Sequence, residues 1–340
     1  MFELLDNKDT KWKDFLISQD QANIFHTPEW SSMLQQAYHL KPYFLANINT
    51  KGEVNSGIPV LEKKSTRGHI SWSSLPFTDH CAPLSSNTSG AYEFSQQLDQ
   101  LINKYPDRYF ELRWLIPGVT SLITQQNYVL HNLTLQSDFE ENHKIIHPSN
   151  NRNIRSAIKH GIRIEINNDR QHLKEFYRLH LLTRHKQGVP IQPWGFFNAL
   201  QSEILDNNLG FILTAYQGTN CLAAAVFLIW NRNMIYKFGA SDPAGLHLRP
   251  NDLLFQEAIR WGCDHGYTSL DFGRSDIDNI GLRRYKTSWG SVESNLFYSY
   301  APSIPRRRAV WMMETLSKVI KNSPLWVCRF IGEILYRYAG

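Results

Sequence analysis

The 340-residue chain is 42% hydrophobic and 13% aromatic with a net charge of +5, so it is too long for one small core and too apolar for disorder. Its four cysteines, Cys81, Cys221, Cys263 and Cys328, form no CxxC pair; this argues against a disulfide framework or zinc site and reads as reduced core residues of a cytoplasmic protein. No histidine spacing suits a metal, the start has no apolar signal segment, and no apolar run is long enough to span a membrane.

Taken in chain order, Thr27-Pro28-Glu29 supplies a capping hydroxyl, a first-turn proline and a carboxylate at the positive end, predicting a helix through Tyr38. Strands are expected at Tyr43–Ile48, Val54–Leu61 and His69–Trp72. The proline-bracketed loop from Leu75 to Pro83 clusters Asp79 and His80, which together can relay a proton at an acceptor cleft. A helix over Ala91–Lys104 and a strand over Tyr109–Trp114 complete a first half that closes near Leu135.

The second half starts with a helix from Ser149 to Gly161, on which Arg152, Arg155 and Lys159 fall on one face: a cationic stripe for a phosphate, or a solvated surface. A strand at Arg163–Ile166, a helix from about Gln171 to His185 and a loop rich in basic groups (Arg184, His185, Lys186) follow, with His185 a candidate base. After a helix at Trp194–Leu205 come strands at Phe211–Gln217, Leu222–Trp230 and Met234–Ala240. The turn His247-Leu-Arg-Pro-Asn251 opens a helix running to His265; Arg249 and Asn251 at its amide-rich start form a candidate anion site or a plain structural cap. The similar element order of the two halves suggests duplication, without a convincing sequence repeat.

A strand from Tyr267 to Phe272 is expected to stop at Gly273 and open into a loop carrying Arg274, Ser275 and Asp276. Gly281 then leads into Arg283, Arg284, Tyr285 and Lys286 before a last strand at Asn295–Tyr300. Cations beside aromatic rings and framed by glycines suit an anionic ligand close to the backbone; the alternative is a hairpin whose charges solvate its edge.

Here the chain resembles a known family. DFGRSD followed by GLRRYKTSWG is similar to the end of FemAB-like acyltransferases; HLRPNDLLFQEAIRWGCDHG resembles their preceding helix and FHTPEW their entry motif. RHKQGVPIQPWGFF resembles the subgroup found with exopolysaccharide and exosortase systems. The resemblance implies an α/β (α+β) fold of two GNAT-like subdomains, mixed sheets flanked by helices, over residues 1–145 and 146–300, followed by an amphipathic helical tail at 301–340. It implies an acyltransferase that acylates an amino group of a cell-envelope saccharide or its nucleotide- or lipid-linked precursor, with acyl-CoA or aminoacyl-tRNA as donor and no metal. Lys286, Arg284 and Arg274 would then hold phosphates or the developing oxyanion, Asp271 would orient that loop, and Tyr236 and Tyr285 would line the cleft. The glycine-rich coenzyme turn of ordinary GNAT enzymes is missing ahead of Asn251, and Gln192 and Phe196 stand where aminoacyl-transferring relatives tend to carry arginine and tyrosine. A peptidoglycan-precursor aminoacyltransferase and an inactive GNAT-like binding module remain the alternatives.

From Ala301 to Gly340 seven Lys and Arg residues face two Glu residues, so this tail carries the whole +5. Two helices separated by Ser323-Pro324 are expected, striped by Met312, Leu316, Val319 and Ile320 and by Val327, Phe330, Ile331, Ile334 and Tyr338. The second stripe is expected to pack on the first half of the protein. For the first, Arg306-Arg307-Arg308 beside Trp311 points to an anionic membrane surface.

Overall fold

The computed structural model describes residues 2–65, 68–305 and 310–339. The chain divides into two compact units, Met1–Val129 with Asn295–Arg306, and Leu130–Ser294 with Arg307–Ala339.

The first unit runs β1 (Phe2–Asp6), α1 (Thr10–Ile17), α2 (Pro28–Tyr38), β2 (Lys41–Ile48), β3 (Val54–Lys64), β4 (Ile70–Ser73), β5 (Leu84–Ser85), α3 (Thr88–Lys104) and β6 (Tyr109–Leu112). Strands β1 to β4 pair antiparallel in sequence, and α3 carries the chain over to β6, which lies parallel to β4. Thr27 caps α2 as its sequence predicts, its hydroxyl accepting from the Trp30 amide. Ile58, Val60, Trp72, Phe94, Leu98 and Phe110 form the core between sheet and α3.

The chain passes into the second unit within β7 (Ile123–Thr134) and leaves it within β13 (Val292–Ala301). Between them lie α4 (Phe139–Ile145), α5 (Pro148–Lys159), β8 (Ile162–Asn167), α6 (Arg170–Gln187), α7 (Trp194–Leu200), β9 (Gly210–Gln217), β10 (Asn220–Trp230), β11 (Asn233–Ser241), α8 (Pro250–Asp264), β12 (Ser269–Asp276) and α9 (Ile280–Thr287). Strands β8 to β11 are antiparallel neighbours, and α8 crosses over to β12, parallel to β11. Each unit thus repeats one order: strand, two helices, three antiparallel strands, a crossover helix and a parallel strand. Buried β10 (Ala223, Ala225, Phe227) and the apolar face of α8 (Leu254, Phe255, Ala258, Ile259) anchor the second core.

The helices α10 (Val310–Lys321) and α11 (Leu325–Ala339) break at Ser323-Pro324 as expected. Their packing corrects both expectations: Leu316 and Ile320 of α10, expected at a membrane surface, and Cys328 and Ile331 of α11, expected over the first half, close instead over Tyr177, Leu181 and Ile191 of the second unit, beside α6. Gly332 makes that docking possible, since a β-carbon there would collide with the Ile191 carbonyl. Arg306, Arg307 and Arg308 lie outside the described residues, as do the side chains of Trp311, Met312, Arg337 and Tyr338.

Three further expectations are corrected. The strand expected to stop at Gly273 runs on as β12 to Asp276, so Arg274, Ser275 and Asp276 lie on a strand and not on a loop. The cationic segment after Gly281 is a helix, α9, and not a loop, because Asn279 caps it by accepting from the Leu282 amide. The basic stretch at Arg184-His185-Lys186 is the last turn of α6, stopped by Gly188 in the left-handed conformation at φ 71°.

Candidate functional site

In the second unit, β11 and β12 keep parallel register only at Asn233–Ser269, Met234–Leu270 and Ile235–Asp271, after which β11 runs on to Ser241 and β12 to Asp276. Strands that part at their carboxyl ends leave a crevice where ligands of open α/β sheets bind. In β11 the register slips opposite Val226/Phe227, so Lys237 is the extra residue of a β-bulge. The bulge sets the Tyr236 side chain back over Gly239, where a β-carbon would collide with the tyrosine hydroxyl.

Helix α8 starts at this crevice. Arg249, at φ 61°, has no side-chain cap bond to offer, and Pro250 fixes the first turn. Ser241 Oγ at the end of β11 donates to Asn251 Oδ1 at 2.9 Å. The next residue, Asp252, is buried and accepts from Asn153 Nδ2 at 3.3 Å. Burial raises the Asp252 carboxyl above the ordinary aspartate value; Asn153 and the Arg249 charge oppose that rise.

Around this turn Phe255 gathers Tyr236 (ring centroids 4.8 Å apart), Tyr285 (5.9 Å) and Trp289 (5.4 Å). Burial pushes the Tyr236 hydroxyl up to about 12. Tyr285 is raised well above its usual range by burial first, then by the Asp252 and Tyr236 charges. Tyr236, Asp252 and Tyr285 therefore share one field, and ionising any of them penalises the others. Burial thus favours the protonated, donating form of both phenols and raises the proton affinity of the Asp252 carboxyl.

Strand β12 and α9 form the opposite wall. Gly273, at φ 70°, lets the strand turn, and its amide donates to Asp271 Oδ1 at 2.7 Å. Lys286 is 4% exposed; its ammonium donates to the carbonyls of Gly273 at 2.8 Å and Arg274 at 3.0 Å. Behind it His131 Nε2 approaches Glu293 Oε2 at 3.1 Å, and Glu293 takes a two-pronged grip from Arg283 at 2.7 and 2.8 Å. Burial, then the Lys286 charge, lowers His131. Ser275 Oγ is buried on β12 without a hydrogen-bond partner among the described residues.

The structure thus gathers Tyr236, Tyr285, Asn251 and Arg249 at the first turn of α8, and Asp271, Arg274 and Lys286 at the β12–α9 joint. Arg284 is exposed on α9 and Arg155 is exposed on α5. His185 Nε2 donates to the Ser323 carbonyl at 2.6 Å and so ties α6 to the tail. Asp79 and His80 belong to the first unit, where the Asp79 carbonyl accepts from Tyr298 and His80 sits edge-on to Phe25. Sequence reading missed Asp252 and Asn153, and it named Arg283 without its partners Glu293, ten residues on, and His131, which is far off in the chain.

All four cysteines are free and buried; burial raises Cys221 to about 11 and lifts Cys81, Cys263 and Cys328 too, so none is an activated nucleophile. Among the described residues no three His, Cys, Asp or Glu side chains gather to hold a metal ion. A hollow of about 740 Å³ adjoins the turn before α8, with Arg178, Asn220, Asp242 and His247 on its walls. That volume is of ligand size.

The family described as Acetyltransferase (GNAT) domain matches residues 149–287, which include β11, α8, β12 and α9. No curated protein matches the sequence. Among solved structures the chain is similar to FemX, with a TM-score of 0.68 and 13% identity over 88% of this chain and 96% of that one. It is also similar to L-PGS from Bacillus licheniformis (TM-score 0.54, 13% identity, 94% of this chain and 99% of that one). A third likeness is the tandem GNAT protein from the clavulanic acid biosynthesis pathway (0.51, 10% identity, 90% and 99%). At these identities the likeness is one of fold: a tandem GNAT-like arrangement.

Proposed function

Because residues 149–287 are a GNAT acetyltransferase domain within a tandem GNAT-like fold, we propose that this acyltransferase acylates an amino group of a cell-envelope saccharide or its nucleotide- or lipid-linked precursor. The observation that supports acyl transfer is the parting of β11 from β12 over the first turn of α8, where Asp252, Tyr236 and Tyr285 are buried together; the saccharide acceptor rests on the resemblance carried by the segment RHKQGVPIQPWGFF.

In such a crevice a bound amine attacks the acyl carbonyl directly. The new N–C bond forms as the carbonyl π electrons move to oxygen; collapse of that intermediate breaks the bond to the leaving sulfur or oxygen. The amine's surplus proton goes to the Asp252 carboxylate, and a tyrosine hydroxyl protonates the leaving group. Tyr285 is assigned that donor role, with Tyr236 lining the crevice. The positive end of α8, which has no side-chain cap from Arg249, and the Arg249 guanidinium offer positive charge to a phosphate or to the oxyanion. Lys286 and Asp271 act at one remove, holding the end of β12.

A second reading, aminoacyl-tRNA in place of acyl-CoA, is favoured by one observation. The turn before α8 reads His247-Leu248-Arg249-Pro250-Asn251, without the glycines that let a backbone wrap a coenzyme pyrophosphate. Native mass spectrometry of the purified protein titrated separately with acetyl-CoA and with aminoacyl-tRNA decides between them. Saturable binding of one donor, weakened by Arg249→Ala, is expected; binding of neither would overturn the enzymatic reading.

A further inference from the structure

Helix α11 has two faces. Cys328, Ile331 and Gly332 are turned to the protein, whereas Trp326, Phe330 and Ile334 are 65%, 59% and 43% exposed. These three recur at i, i+4 and i+8, forming an apolar stripe about 12 Å long on the outside of the second unit. Val319 of α10, 49% exposed, adds to the outward apolar surface of the tail. Lys318, Lys321 and Arg329 are exposed on the two helices, Arg329 also bonding the Tyr177 hydroxyl of α6, against Glu314 and Glu333. The sequence places Arg306-Arg307-Arg308 just ahead of α10.

We infer that this outer face of α10 and α11 docks the protein on an anionic lipid leaflet. A tryptophan beside aliphatic and phenyl side chains, on a helix with basic flanks, is the pattern of a helix lying in the headgroup region. The cations match a leaflet of negative surface potential, and the apolar stripe supplies the burial that charge alone lacks. Among the described residues no helix is long and apolar enough to cross a membrane, so docking here is peripheral in kind.

The tail is also linked to the crevice by a traceable route. Thr183 Oγ1 on α6 accepts from the Ser241 amide at 3.0 Å, and Ser241 in turn bonds Asn251 in the first turn of α8. In the same turn of α6, Arg184 donates to Tyr336 Oη at 3.3 Å and His185 to the Ser323 carbonyl at 2.6 Å. One end of one helix therefore touches both the crevice and the tail. A lipid-borne acceptor would be met there; that consequence rests on the proposed function, whereas docking itself does not.

The test is co-sedimentation of the full chain with vesicles of phosphatidylcholine alone or mixed with phosphatidylglycerol, at low and moderate salt. The wild type is expected to bind the mixed vesicles, and more weakly as salt rises. Replacing Trp326, Phe330 and Ile334 together by serine should weaken that binding by about tenfold or more, because each loses apolar burial. Changing Lys318, Lys321 and Arg329 to glutamine should remove the preference for anionic vesicles. All six positions are exposed, and unchanged thermal unfolding confirms that the variants fold. Wild-type failure to bind, or equal binding by the serine variant, overturns the inference. So does a concentration-dependent dimer that the serine variant abolishes, which would make this face a contact between copies. Acyl transfer to a soluble amine should persist in the serine variant, so loss of docking and loss of enzymatic function are read separately.

Discussion

Lys286 illustrates how far a side chain can sit from the role its neighbours suggest. Glycines and cations in the sequence mark it as a phosphate clamp, yet in the fold its ammonium is buried against two main-chain carbonyls. Removing it takes a charged donor from both carbonyls and leaves a hole in a buried place, and a charge-assisted bond contributes about 1.5–3 kcal/mol. Lys286→Ala should therefore lower the unfolding midpoint clearly, while Lys159→Ala, exposed on α5, should leave it unchanged; a full denaturant titration of each measures this. If Lys286→Ala keeps its stability and instead loses affinity for a phosphate-bearing ligand, the clamp is real. Asp252 shows the converse. Nothing in its sequence position separates it from any first-turn acid, because its raised proton affinity comes from burial, and the Asn153 contact that opposes the rise comes from a helix about a hundred residues earlier in the chain.

At the level of elements, most of the second unit was legible. Apolar runs bounded by turn residues marked β9, β10 and β11, and Pro250 with Gly266 bracketed α8. Helix α9 was not, because Ile280–Thr287 carries few apolar residues and its helical state depends on the Asn279 cap and on contact with β12. Strand β7 also escaped, its half-polar TQQNY segment lacking a clean alternation. For the tail, periodicity located both helices but could not say which surface each stripe meets. The docking of α11 turns on Gly332, so Gly332→Ala should loosen it by collision with the Ile191 carbonyl. Hydrogen exchange is expected to show faster exchange along Leu325–Ala339 in that variant, with the amides of β9 to β11 unaffected. Unchanged protection in α11 would mean that the helix is held by other contacts.

The whole molecule repeats one element order in two units, and each unit buries a neutral histidine. His26 Nε2 donates to the Ala82 carbonyl at 2.8 Å and His180 Nε2 to Gln192 Oε1 at 3.1 Å. Desolvation lowers His26 to about 4 and His180 to about 3. The unfolded chain takes up these protons near pH 6.5, whereas the folded protein refuses them until far lower pH. Stability is thus full above about pH 6.5 and falls as the pH drops below it, on the order of 1 kcal/mol per pH unit for each histidine. The unfolding midpoint should decline steadily from pH 7 to pH 5; a flat or rising profile would show that these imidazoles are not buried neutral. Buried titratable groups of this kind were beyond sequence reading, which sees thirteen histidines and cannot rank them by solvent access.

The central claim is that the first turn of α8 carries acyl transfer to an amine. The most direct measurement is turnover with a labelled acyl or aminoacyl donor and an amino-sugar acceptor, comparing the wild type with Asp252→Asn. The substitution keeps the shape and the Asn153 contact but removes the proton-accepting carboxylate. Turnover is expected to drop by roughly a hundredfold or more while the unfolding midpoint stays close to that of the wild type. An Asp252→Asn protein that transfers the label as fast as the wild type would contradict the account.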